Sequence, residues 1–163
     1  RRYWYKWISP SACASICFST LLLLRQQHES FLSSSLHFHE FSLLKASLDS
    51  DNEQIKIVNN GLDHPFILNQ DKDIPAAELK DKLSGRMLKV FTDQPAVVIY
   101  SGNYLHEVGK LSNDIECKKH MGICFETQDY PNVLNFLPEK SKIYSPSNPY
   151  IQKTIFKFLI NKN

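Results

Sequence analysis

The residue of this sequence best placed to do chemistry is a carboxylate set into an apolar strand. The segment Ile123-Cys124-Phe125-Glu126-Thr127-Gln128 reads as a strand, and period-2 geometry then puts Cys124, Glu126 and Gln128 on one face. Glu126 follows three apolar or thiol residues, so partial desolvation is expected to raise its pKa. That makes it a better proton acceptor near neutral pH. Taken alone, the segment more often holds a paired or solvated sheet glutamate, because structural carboxylates are common. Asp63-His64 follows a glycine turn and precedes Pro65-Phe66, and alone it reads as a turn aspartate.

Other constellations carry less. Cys117, His120 and Cys124 have a C-x2-H-x3-C spacing, but zinc wants four ligands, or three and a water, and no fourth follows at a convincing spacing. Buried thiols and a surface histidine are the expectation there, with no metal. His37-x-His39 would put two imidazoles on one strand face, but it lies at the edge of a segment of different character. The sequence contains no nucleophile elbow, phosphate loop or dinucleotide fingerprint. Ser101-Gly102-Asn103 reads most simply as a hairpin turn.

The elements that must position these residues are mostly strands. The 163 residues, 42% hydrophobic and 22% charged, suit one globular domain. A net charge of +2, from 19 basic and 17 acidic residues, argues against a nucleic-acid protein. Four cysteines, at 13, 17, 117 and 124, are too few and too unevenly spaced for a disulfide scaffold, so a reducing compartment or free thiols is the default, and the location expected is cytoplasmic. Residues 54–58 alternate apolar and polar before Asn59-Asn60-Gly61, predicting a strand and turn. Further strands are expected over 86–93, 96–101, the end of 115–128, and 150–160. Residues 75–83 have helical propensity but are short enough for a strand–turn. The pattern predicts an all-β antiparallel sandwich or barrel.

The first 48 residues differ, with only Glu29 and Glu40 as acids. Between Lys6 and Arg25 lie 18 uncharged residues ending in Leu21-Leu22-Leu23-Leu24. Such a run resembles a signal peptide or membrane span. Six of the 18 are Ser, Thr or Pro, and Pro10 disfavours helix in the residue before it. A membrane role is therefore not expected, and a non-native leader over residues 1–40 is the preferred reading.

Four ordered blocks, taken together, carry a resemblance. They are Gly61-Leu62-Asp63-His64-Pro65-Phe66-Ile67-Leu68-Asn69, Ser84-Gly85-Arg86, Thr92-Asp93-Gln94-Pro95 through Tyr100-Ser101-Gly102-Asn103, and Cys124-Phe125-Glu126-Thr127-Gln128-Asp129-Tyr130-Pro131-Asn132. With their spacing, they resemble the C-terminal part of aldose 1-epimerases (galactose mutarotases), over about Phe41 to Phe158 and closest to bacterial members. The resemblance assigns 41–163 to that domain and implies a β-supersandwich, here incomplete. It also implies interconversion of the α and β anomers of hexoses such as glucose and galactose, with no metal or organic cofactor.

By the same resemblance, Glu126 sits where the family has its catalytic base, and Asp63 where it has an aspartate that hydrogen-bonds sugar hydroxyls. Val98 departs from the family, some members of which carry Gln there. The family's histidines, including its proposed general acid, lie in an N-terminal half without a counterpart here, so neither His37 nor His39 takes a role. Mutarotation by this chain is expected to be impaired, because an acid–base group contributes roughly 10²–10⁴-fold. Unpaired strand edges would favour self-association. The alternative function is a non-catalytic carbohydrate-binding β module that uses Asp63 with Phe66 or Tyr100.

Overall fold

The computed structural model describes residues 20–24, 36–69, 71, 73–111 and 114–160. Among these residues, eight strands form two antiparallel sheets. They are β1 (Thr20–Leu24), β2 (Ser42–Leu43), β3 (Asp63–Ile67), β4 (Ala77–Asp81), β5 (Arg86–Thr92), β6 (Ala96–Tyr100), β7 (Cys124–Gln128) and β8 (Thr154–Ile160). One sheet has the order β2-β1-β4-β5-β8 and the other β3-β6-β7. Short helices α1 (Leu44–Leu48), α2 (Glu53–Ile57) and α3 (Val133–Phe136) lie in the connections.

The sheets pack face to face because each presents one apolar set of alternating residues. The five-stranded sheet contributes Leu22, Leu24, Ala77, Leu79, Leu88 and Val90. The three-stranded sheet contributes Phe66, Val97, Ile99 and Phe125, and all ten residues are buried. Phe38 closes the core edge-on against Phe66, with ring centroids 5.9 Å apart. At one end a hydroxyl ladder ties the sheets together, with Thr127 Oγ1 2.7 Å and Thr92 Oγ1 3.2 Å from Thr154 Oγ1. The chain passes from one sheet to the other at Asp93-Gln94-Pro95, between β5 and β6.

The expected strands at 86–93, 96–101, 115–128 and 150–160 correspond to β5, β6, β7 and β8. Residues 75–83 resolve as a strand and turn. Ala77 and Leu79 face the core, and Glu78, on the other face, pairs with Lys89 across β5 at 3.1 Å. Gly85, at φ +69°, completes the turn into β5, its N–H donating to the Asp81 carbonyl.

The strand expected over 54–58 is instead helix α2. Asn52 caps it, its Oδ1 accepting from the Gln54 N–H at 2.8 Å, and Glu53 occupies the first turn, where the helix dipole favours an acid. The alternation was misleading: Ile55 is fully buried while Ile57 is 76% exposed. In a strand those two side chains would share a face.

The leucine run, expected as part of a leader over residues 1–40, forms a strand. Thr20–Leu24 is β1, buried on both faces and paired with β4 from Thr20↔Asp81 to Leu24↔Ala77. Residues 7–19, with Cys13 and Cys17, lie outside the described residues. Among the described residues no helix is long and apolar enough to cross a membrane.

Candidate active site

The three-stranded sheet has one face in the core and one turned outward. Its cross-strand register runs Asp63–Tyr100–Cys124, then His64–Ile99–Phe125, then Pro65–Val98–Glu126, and on to Ile67–Ala96–Gln128. Directly opposed residues share a face, so Asp63, Tyr100, Val98, Glu126 and Gln128 all project to the outward side. Asp63 stands on edge strand β3 and Glu126 on edge strand β7, with Tyr100 and Val98 of β6 between them. Strand spacing and rise place their Cα atoms roughly 11–12 Å apart. Long side chains on such a face can converge on one small ligand.

Both carboxyl groups reach solvent, yet the surrounding protein strips part of their hydration. This desolvation raises the pKa of Asp63 above its ordinary 3.8, an effect partly offset by His64. It also raises Glu126 above 4.5, and the Asp63 carboxylate adds to the rise. The repulsion falls on Glu126 because the aspartate, with the lower ordinary pKa, is already charged when Glu126 titrates. Val98, apolar and half-buried directly opposite Glu126, is one source of the dry surroundings. A carboxylate of raised pKa, next to a hydrogen-bond acceptor that can orient a hydroxyl, suits proton abstraction from an OH group.

Three expectations change at the site. Asp63 is the first residue of β3 rather than a turn residue. Phe66 is 2% exposed and packs in the core, which removes it as a sugar-facing aromatic, whereas Tyr100 lies on the carboxylate face. Ser101-Gly102-Asn103 is no hairpin turn. It begins the long connection 101–123, and both Ser101 and Asn103 are fully buried.

Cys117 and Cys124 are both buried. His120 is half-buried with Nδ1 2.9 Å from the Ser101 carbonyl oxygen. Among the described residues no group of three or more His, Cys, Asp or Glu could hold a metal ion. His37 and His39 stack edge-on, with centroids 5.9 Å apart, away from these strands in sequence.

Nothing in the sequence signalled the state of His64. It points to the opposite side from Asp63, and its Nδ1 accepts from the Asp63 N–H at 3.1 Å. Its Nε2 is buried, and among the described residues it has no hydrogen-bond partner of good geometry. Burial lowers its pKa below 6.5, against smaller opposing effects of the Gln54 backbone and Asp63.

Comparison with known proteins is consistent with this arrangement. The aldose 1-epimerase family model matches residues 25–157, beginning ahead of Phe41. Galactose mutarotase of Mus musculus is 36% identical over 102 residues, and that of Homo sapiens 37%. Each alignment covers 62% of this chain and 30% of the relative. The aldose 1-epimerase of Haemophilus influenzae is 34% identical over 101 residues, no more than the mammalian relatives, so a special closeness to bacterial members is not shown.

The structure of galactose 1-epimerase from Lactobacillus acidophilus superposes with a TM-score of 0.66 at 27% identity, covering 91% of this chain and 46% of that one. An aldose epimerase homologue from C. elegans shares the fold, with a TM-score of 0.71 at 16% identity. The chain thus spans less than half the length of these relatives. With the family model covering most of its residues, the chain belongs to the aldose 1-epimerase family.

Proposed function

We propose that this chain carries the base and the sugar-orienting carboxylate of an aldose 1-epimerase site, acting on a hexose such as galactose or glucose. The observation that supports this most is the single outward face shared by Asp63 and Glu126 on either side of Tyr100 and Val98. In the reaction, Glu126 removes the proton of the C1 hydroxyl. The C1–O electron pair forms the aldehyde carbonyl as the bond from C1 to the ring oxygen breaks, and the ring oxygen takes up a proton. Rotation about C1–C2 and reversal of these steps give the other anomer. Asp63 accepts a short, charge-assisted hydrogen bond from a sugar hydroxyl and so fixes the ring's orientation. The chemistry needs no cofactor, and the setting proposed is cytoplasmic.

Among the described residues, the outward face carries no imidazole to protonate the ring oxygen. Anomerisation by this chain is therefore expected to fall roughly 10²–10⁴-fold below that of a complete acid–base pair. Polarimetry of freshly dissolved α-D-galactose tests the reading. Any acceleration over the spontaneous rate should vanish in Glu126→Gln, and Asp63→Asn should weaken galactose binding. Acceleration that survives Glu126→Gln would refute the assignment of the base. Binding that is indifferent to Asp63→Asn would refute that of the orienting carboxylate.

A further inference from the structure

The outward face is held in place by a buried polar clamp. The side chain of Asn103 is fully buried and uses its whole amide. Nδ2 donates to the carbonyls of Val58 at 2.8 Å and Leu62 at 2.9 Å, and Oδ1 accepts from Ser101 Oγ at 2.6 Å. Ser101 Oγ in turn accepts from the Leu62 N–H at 2.8 Å, and the Ser101 N–H donates to the Leu62 carbonyl at 3.0 Å. Both backbone polar groups of Leu62, the residue before Asp63, are thus tied to residues 101–103.

The clamp is braced from two further directions. The Asn103 carbonyl accepts from Asn59 Nδ2 at 3.0 Å, and His120 Nδ1 lies 2.9 Å from the Ser101 carbonyl oxygen. Gly61 leaves the room it needs, since a Cβ there would lie 1.9 Å from Asn103 Oδ1. The structure describes no comparable anchoring of the Asp63 carboxylate itself. Its place is set by its backbone, and the backbone just ahead of it is set by this clamp.

We propose that Asn103 is a positioning residue for Asp63, acting with Ser101 through the backbone of Leu62 to fix where that carboxylate meets a sugar hydroxyl. The inference rests on the functional reading above for its sugar, but not for its geometry. A satisfied buried amide network is rigid, and removing Asn103 takes its donor from the Val58 carbonyl and leaves the Leu62 carbonyl with the Ser101 N–H alone. A small displacement of an orienting group then weakens binding well beyond the local change.

The test uses the whole chain with two carbon-13 NMR readouts. One is the pH titration of the Asp63 carboxyl without sugar, and the other is affinity for galactose. In a folded Asn103→Ala variant, the Asp63 titration should move towards the ordinary 3.8 as the carboxyl gains access to water. Galactose affinity should fall about tenfold. A purely structural role would lower the unfolding midpoint and leave the Asp63 titration in the folded state where it was, and that result overturns the proposal.

Should Asn103→Ala fail to fold, the milder Ser101→Ala, which removes only the hydroxyl, decides by the same readouts. Failure of both to fold would make the clamp a folding element and end the proposal. If the parent chain binds no galactose, the functional reading fails, and the Asp63 titration still decides the positioning role.

Discussion

The two sheets of the sandwich divide the work unequally. The five-stranded sheet gives its inner face to the core, and its outer face mixes leucines with a ladder of charge, Glu78–Lys89–Lys157. The three-stranded sheet is smaller, yet its outer face holds two carboxyl groups of raised pKa. Glu78 is matched by Lys89, whereas no ion pair forms at Asp63 or Glu126 among the described residues. A carboxylate is thus ion-paired in one sheet and, among the described residues, left without such a pair in the other, and its cross-strand neighbours decide which.

The sheets also end differently. Beyond the reach of the smaller sheet, β8 leaves Phe158 63% and Ile160 68% exposed, although both lie on the inward-facing side.

The strongest way to break this comparison is to remove the support behind the carboxylate face. Phe66→Ala, at a site 2% exposed beneath the carboxylates, should cost about 3–5 kcal/mol in urea unfolding. A loss below 1 kcal/mol would mean that the two sheets do not share a core. Leu22→Ala should cost about 2–5 kcal/mol. It asks whether β1, which precedes the family-matched segment, belongs to the sandwich, and an unchanged midpoint would detach it.

In the paired ladder, Lys89→Met should cost about 1 kcal/mol or somewhat more, because Glu78 would be left mostly buried without its partner. A smaller, directional effect comes from pH. Asp63 and Glu126 hold their protons to higher pH folded than unfolded, so the stability they contribute declines as pH rises from the ordinary 3.8 and 4.5 through their raised folded values. His64, held below 6.5, works in the opposite sense, and its contribution is lost as pH falls below 6.5. Glu126→Gln should therefore flatten the decline on the rising side, and an identical pH profile of melting temperature would contradict the burial argument. Phe158→Lys should raise the concentration at which light scattering first reports self-association through the β8 edge.

Legibility in the sequence followed the same division. Strands β5 to β8 were readable because β-branched and aromatic residues are bounded by turn residues, and the face that carries Glu126 followed from its period. Ile55 and Ile57 mislead because short alternation is also compatible with one helical turn, and the Asn52 cap is the signal that separates the two. The leucines of β1 lack alternation because both faces are buried, so the run cannot be told from another apolar segment by period alone. The clamp of Ser101 and Asn103 was hidden behind a turn-like tripeptide, since its partners lie about 40 residues earlier in the chain.

The central claim is that Asp63 and Glu126 act on one sugar from one face, and a galactose titration of the carboxyl-labelled chain addresses it most directly. The account predicts that the Asp63 and Glu126 resonances move together and saturate with a single affinity, while that of Glu78 stays still. Galactose that shifts neither carboxyl of the folded chain, or shifts one without the other, would contradict it.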